Sequence, residues 1–336
     1  MKRQQAIENW LARLWPGRSF TLAPASADAS FRRYFRITLD DGVTRIVMDA
    51  PPSHEDVRPW LHVQRLFHAA GVHVPEVLAE NLEEGFLLLS DLGSTTYLAA
   101  LGADADRADA LYRDAIAALI RIQAASRPGE LPPYDRALLK RELDLFPEWY
   151  VARHLDTVLS DAERSALEQV FERIIQVNLA EPRVYVHRDW HSRNLMDSTP
   201  NPGIVDFQDA VYGPISYDLV SLFKDAYVDW PEEQTLDWLV RYWEGARKAG
   251  LPVRADFAEL HRDYEWMGVQ RHVKVLGIFA RLYHRDGKDG YLKDMPLVAK
   301  YLRAACSRYG ELSPLLKLLD RLEGKVTVLG QTMEKR

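Results

Sequence analysis

The tract His187-Arg188-Asp189-Trp190-His191-Ser192-Arg193-Asn194 sets a carboxylate five residues before a carboxamide, and a second carboxylate, Asp206, follows twelve residues after Asn194. Asp206 ends the apolar run Gly203-Ile204-Val205 and precedes Phe207. This is H-R-D-x-x-x-x-N followed by D-F. Moving a phosphoryl group from a magnesium-bound nucleotide to an alcohol requires these parts. One carboxylate must orient the attacking hydroxyl and accept its proton, and hard oxygen ligands must hold Mg²⁺ against the phosphates. Asp189 fits the first role; Asn194 and Asp206 fit the second. Read as a helix cap or a loop ion pair, the His-Arg-Asp tripeptide leaves the asparagine and the Asp-Phe pair unexplained. A hydrolase holding a metal on His187, Asp189 and His191 is the rival chemistry. It lacks an H-E-x-x-H motif and any further obvious ligand pair.

The surrounding pattern supplies strands and loops to carry these groups. Short strand-like pieces, VYVH, NLM and GIVDF, span 184–207, with a turn at Asn201-Pro202-Gly203, so the two metal ligands should fall at neighbouring strand ends. Upstream, FRITLDDGVTRIVMD shows two β-rich runs about Asp41-Gly42, a strong hairpin signal. Residues 3–15 set Ile7, Trp10, Leu11 and Leu14 on one helical face. A helix is expected over 56–70, stopping at Gly71, with strands at 76–80 and 86–90. Helical period then takes over, at 104–125, 160–178, 216–226, 232–249, 256–284 and 290–306. Strands crossed by one helix predict a small antiparallel sheet, and the rest a helical region. The fold class is α+β, with a β-rich portion at 1–92 and a helical portion at 93–336.

Composition narrows the function. The 336 residues suit two domains or one large domain in two lobes. With 43 Lys+Arg against 49 Asp+Glu, the formal net charge is −6, which argues against a general nucleic-acid or membrane-surface binder. The single cysteine, Cys306, cannot form an internal disulfide and fits a reducing compartment. No uncharged apolar run reaches the ~18 residues that a membrane span needs, and the N-terminus does not read as a signal peptide. A cytoplasmic monomer is expected.

The catalytic tract resembles that of the aminoglycoside phosphotransferase and choline kinase superfamily, within the protein-kinase-like fold. The likeness runs through PASADASFRRYFR, GFLLLSDLGSTTYLAAL, VHRDWHSRNLM, GIVDFQDAVYGPISYDLVSLFKDAY and QRHVKVLGIFARLYHRDGK. These segments are similar to the branch of bacterial kinases that phosphorylate the anomeric hydroxyl of N-acetylmuramate and N-acetylglucosamine in cell-wall recycling. The resemblance implies a two-lobed fold with ATP between a small β-rich lobe and a larger helical lobe, and Mg²⁺ as the metal. It also implies that Leu87–Leu92 is a hinge where Ser90 and Leu92 offer backbone groups to adenine. Aminoglycoside or choline-like acceptors, and a non-catalytic nucleotide-binding protein, are the alternatives.

One departure from that pattern stands out. Kinase-like folds carry a lysine on the third strand, paired with a helix glutamate. Here Met48 stands about where the lysine is expected, no lysine occurs between Lys2 and Lys140, and RPWLHVQRLFHAAG contains no glutamate. Losing both partners avoids an unpaired buried charge. Arg32, Arg33 and Arg45 are the nearest cations for the phosphates, and the small residues from Ser26 to Ser30 are expected to form a phosphate-covering turn. Arg271 and Lys274 on the 264–285 helix, with His191, Asp209 and Asp225, are candidates for the acceptor. The basic character of that helix favours a neutral or anionic sugar over a polycation.

Overall fold

The computed structural model describes residues 2–26 and 31–333. The chain starts with α1 (Lys2–Leu14), the hairpin-linked strands β1 (Phe20–Ser26), β2 (Arg33–Leu39) and β3 (Thr44–Asp49), and α2 (Arg58–Ala69). Strands β4 (Val77–Asn81) and β5 (Phe86–Ser90) follow, then α3 (Tyr97–Ala103) and α4 (Ala108–Ala124). Next come α5 (Arg136–Leu145), a π-helical stretch (Phe146–His154), α6 (Asp161–Leu179), and the short strands β6 (Arg183–Val186), β7 (Leu195–Met196), β8 (Gly203–Ile204) and β9 (Val211–Pro214). The C-terminal part is helical: α7 (Tyr217–Phe223), α8 (Glu232–Lys248), α9 (Phe257–Asp286), α10 (Met295–Arg308) and α11 (Ser313–Met333).

The described residues gather into two compact units. One runs through Ile122 and takes in Arg193–Asp209; the other holds Gln123–Ser192 and the chain from Ala210 onward. In the first, an antiparallel sheet of order β1-β2-β3-β5-β4 is turned at Asp41-Gly42, where Gly42 has φ +83° and Asp41 accepts the N–H of Val43 at 3.0 Å. Only glycine enters that left-handed region without strain. The stripe Ile7, Trp10 and Leu11 of α1 packs on Ile37, Val47, Phe86 and Leu88, as the helical spacing predicts. Each such side chain removed from water stabilises the fold by ~1.5–3 kcal/mol.

The division after Ile122 differs from the boundary at 92–93 expected from the sequence. The β7–β8 hairpin explains why, because its contacts run to the segment just past β5 and to the loop between α2 and β4. Asp197 accepts both guanidinium nitrogens of Arg107 at 2.8 and 3.0 Å and donates its N–H to Thr95 O at 2.9 Å. Asn201 donates to Asp114 at 2.6 Å, and Ile204 donates its N–H to His73 O at 2.8 Å. Residues 93–122 and the hairpin therefore belong with the sheet.

The second unit is built round α9, thirty residues long and buried along most of its first 24 positions. Gly277 lets α5 approach it: a Cβ there would lie 2.5 Å from the Leu145 carbonyl carbon and 2.6 Å from its Cβ. Gly277→Ala is expected to lower unfolding stability by ~1–3 kcal/mol through overpacking, read as a lower urea midpoint; an unchanged midpoint would mean the helices separate freely. Helices α3, α5 and α11 are not anticipated by the sequence pattern. Among the described residues no helix is long and apolar enough to cross a membrane.

Candidate active site

In the first unit a cavity of about 350 Å³ opens between the sheet and the β7–β8 hairpin. Ser90 and Leu92, at the exit of β5, line it together with Asn194 and Asp206, so four of the residues singled out in the sequence meet in one space. Strand pairing brings the last two together. Val205 donates its N–H to Asn194 O at 3.2 Å, the Asn194 amide nitrogen lies 3.3 Å from Asp206 Oδ2, and Gln208 donates to Asp206 Oδ1 at 2.8 Å. Asp206 has φ +62°, a conformation that costs a residue bearing a Cβ free energy and is found where a side chain must be aimed. A carboxylate and a carboxamide are hard oxygen donors, which suits Mg²⁺ and leaves positions for water and phosphate oxygens. Among the described residues no group of three or more His, Cys, Asp or Glu is placed to hold a metal, so the zinc reading of His187, Asp189 and His191 lacks its ligand set.

The cations of this cavity differ from those expected. Side chains alternate across a strand, so Tyr34 and Arg36 face the cavity while Arg33 faces the other side of β2 with Phe35. There Arg33 joins Arg3 on the fully buried carboxylate of Asp49. Arg32 stands 3.7 Å from Glu55, and Arg45 donates to Thr44 O at 2.7 Å. None of the three lines the cavity; Arg36 and Arg193 do. Arg36 grips Asp91 through two nitrogens at 2.6 and 3.0 Å and donates to Gly93 O at 2.8 Å. Strand alternation counted from the hairpin would have found Arg36. Ser30 lies outside the described residues. Ser90 donates its own N–H to Glu76 O at 2.9 Å, which leaves Leu92 as the better placed N–H of the pair.

In the second unit the loop bearing Asp189 is held from several sides. Asp218, fully buried at the start of α7, accepts the N–H of His187 at 2.7 Å and of Arg188 at 3.0 Å. Asp225 accepts the N–H of Ser192 at 3.0 Å and of Tyr227 at 3.1 Å. His191 packs edge-on to Tyr227, with ring centroids 5.5 Å apart. Thus two acceptor candidates, His191 and Asp225, have structural duties in this loop. Asp209 lies instead in the first unit, 3.4 Å from Gln208 Nε2, and is not part of the cavity lining.

Arg271 and Lys274 are also committed, and buried. Arg271 donates to Arg188 O at 2.8 Å and to the Tyr217 hydroxyl at 3.1 Å, with its second nitrogen 3.8 Å from Asp189. Lys274 donates to the Tyr217 hydroxyl at 2.8 Å and pairs with Glu142 at 3.0 Å. Glu142, buried on α5, also receives Arg188 and the Tyr134 hydroxyl. The sequence pattern does not point to Glu142 because it does not point to α5, although Asp135 caps that helix by accepting the N–H of Leu138 at 2.9 Å.

These charges set the state of Asp189. Burial pushes its carboxyl up, but Lys274, Arg271, His191 and Arg188 outweigh that and hold it at about 2. The Asp189 side chain still keeps 41% of its surface exposed. Removing one cation should weaken the effect. Lys274→Met is expected to move the acid limb of the kcat–pH profile upward by roughly 1 unit, at the low end of what one adjacent charge does. A limb that stays put would uncouple Lys274 from Asp189.

Residues 21–260 match the model of the phosphotransferase enzyme family. An N-acetylmuramate/N-acetylglucosamine kinase of Neisseria meningitidis serogroup B is 52% identical over 328 residues, covering 96% of this chain and 97% of its own. The like-named kinase of Pseudomonas aeruginosa is 51% identical, over 90% of this chain and 88% of its own. Among solved structures, choline kinase from Streptococcus pneumoniae superposes with a TM-score of 0.63 at 12% identity, covering 90% of this chain and 100% of that one. The ADP-bound aminoglycoside phosphotransferase APH(2'')-Ib gives 0.58 at 14%, covering 88% and 96%. Those two likenesses establish the α+β kinase-like fold. With a family model spanning most of its length and half-identical relatives along nearly all of it, the chain belongs to the phosphotransferase enzyme family.

Proposed function

We propose that this chain uses ATP and Mg²⁺ to phosphorylate the anomeric hydroxyl of N-acetylmuramate and N-acetylglucosamine, giving the sugar 1-phosphate. The observation that carries the reading is 52% identity, almost end to end, to a kinase of that name. Asp189 accepts a hydrogen bond from the acceptor hydroxyl, fixes its direction and takes up its proton. Asn194 and Asp206 would hold the metal, which when bound neutralises phosphate charge. The continuous tract 187–206 that carries all three supports their common use. Leu92 supplies backbone groups to the nucleotide base. Arg193, lining the cavity beside Asn194, stands in for the absent third-strand lysine.

The acceptor follows from charge. Arg188, Arg271 and Lys274 surround Asp189, with Glu142 behind them. Such a setting tolerates a neutral N-acetyl sugar, welcomes a lactyl carboxylate and opposes a polycationic aminoglycoside. Work in the cytoplasm, within cell-wall sugar recycling, is consistent with the need for ATP. An ADP-release assay over amino sugars, aminoglycosides and choline tests the proposal. Turnover is expected with the two N-acetyl sugars, with loss of their reducing end. Turnover of aminoglycosides or choline in their place would defeat it, and no turnover with any acceptor would favour a non-catalytic nucleotide binder. In the same assay Arg193→Ala is expected to raise KM for ATP about tenfold, the worth of one charge-assisted contact. An unchanged KM would remove Arg193 from the phosphate site.

A further inference from the structure

We infer that a second cavity, built wholly by the second unit, is an accessory site for one neutral pyranose ring, apart from the loop that carries Asp189. The cavity measures about 360 Å³ and lies among the C-terminal end of α7, residues 224–232, α8, α9 and α10. That volume falls within the range of small-molecule sites. Nothing in the transfer chemistry described above uses it.

Its lining specifies the ligand. Three cations, Lys224, Lys300 and Arg308, face three carboxylates, Asp229, Glu232 and Glu265. They are paired with one another: Arg308 with Glu232 at 2.5 Å and with Glu265, Lys300 with Asp229 at 2.5 Å, and Lys224 with Glu265 at 3.6 Å. The formal charges cancel, so a net anion would meet three carboxylates and a net cation three basic groups. A carboxylate has about four lone-pair sites and an ammonium three donors, so paired groups keep capacity for further hydrogen bonds. Between them stand the aromatic rings of Trp230, Tyr264 and Tyr301. The Tyr264 side chain is buried, and its hydroxyl has no hydrogen-bond partner among the described residues. Tyr264 lines the cavity together with Tyr301, Glu265, Glu232 and Arg308. Hydroxyls that both donate and accept, around a ring whose C–H face stacks on an aromatic, match this lining.

The cavity is separate from the reaction loop. Tyr264 and Arg271 lie on one side of α9 but about 10 Å apart along its axis, at ~1.5 Å per residue. None of Asp189, His191, Arg271 or Lys274 lines it. The two regions share one segment of chain. Lys224 borders the cavity while its neighbour Asp225 holds Ser192, and the Tyr301 hydroxyl donates to Val228 O at 3.1 Å.

Equilibrium dialysis of the full chain against radiolabelled N-acetylglucosamine provides the test. Ala304, exposed at the cavity, is replaced in Ala304→Trp to fill it. The wild type is expected to bind one more sugar per chain than Ala304→Trp, with kcat of the variant within about twofold of wild type. Tyr264→Phe should weaken that extra binding about fivefold, one hydrogen bond's worth, without lowering the melting temperature; a purely structural tyrosine would move the melting temperature and not the binding. Equal stoichiometry in wild type and Ala304→Trp overturns the inference. So does loss of all sugar binding and turnover in a folded Ala304→Trp, which would make the cavity the acceptor site itself. If Ala304→Trp does not fold, unchanged binding in Tyr264→Phe overturns it. Extra sugar bound by a protein that phosphorylates no sugar would sustain this site while removing the proposed reaction.

Discussion

Asp189→Asn is expected to lower kcat by ~10²–10⁴-fold, the range for losing a positioned general base, while KM for ATP and for the sugar stay within about threefold. The substitution keeps the shape of the side chain. The main-chain holds on the loop, from Asp218, Asp225 and the imidazole nitrogen that accepts the Asp189 N–H at 3.2 Å, do not involve the carboxylate. What is lost is an acceptor that stays ionised. Lys274, Arg271 and their neighbours hold the carboxyl at about 2 against the pull of burial, so as the proposed base Asp189 would be a weak one, acting mainly by direction. The anomeric hydroxyl, more acidic than an ordinary alcohol, needs no stronger one. A folded variant retaining more than a tenth of wild-type kcat would show that another group does this work. The sign of the linkage follows. The folded pKa lies below the unfolded value, so the stability that Asp189 contributes is present above about pH 4 and is lost as pH falls toward 2.

Glu142→Ala should be among the most destabilising single changes in the second unit, at ~3–5 kcal/mol, because it removes one partner of a buried charge cluster. The Lys274 side chain is 7% exposed and that of Arg188 19%. Without Glu142 these two nearly enclosed cations lose the carboxylate oxygen they share, and Arg271 stands close by over the Tyr217 ring that Lys274 also faces. The Tyr134 hydroxyl loses its acceptor as well. Burial alone would push the Glu142 carboxyl up, yet Lys274 and Arg188 bring it below its ordinary value, so the pairing outweighs desolvation. Urea unfolding measures the effect. A loss under roughly 1 kcal/mol, the size of an exposed ion pair, would mean that water enters and screens the cluster. Glu142→Gln, which keeps the hydrogen-bonding shape, should lose less than the alanine variant.

The parts of the molecule that could be read in advance are those where chemistry leaves a local mark. Asp189, Asn194 and Asp206 have a fixed spacing, and Asn194 and Asp206 do share a cavity with Ser90 and Leu92. The Asp41-Gly42 hairpin and the α1 stripe likewise declare themselves through turn chemistry and period. The cations were harder. Arg33 and Arg36 are three residues apart on one strand and so face opposite sides, Arg33 opposite Asp49 and Arg36 opposite Ile46. Arg271 and Lys274 read as acceptor contacts because the carboxylate that Lys274 pairs with, Glu142, lies more than a hundred residues earlier in an unrecognised helix. Long-range pairing of that kind has no signature within a window of sequence.

The matched family span, residues 21–260, also shows why that piece should not be excised for study. Cutting at 21 discards α1, strips the cover from Ile37 and Phe86 and takes Arg3 from Asp49, leaving a sticky sheet prone to aggregate. Cutting at 260 severs α9 after one turn, before Arg271 and Lys274. A recombinant fragment drawn to those limits is expected to come out insoluble, and its silence in an assay would say nothing about the enzyme.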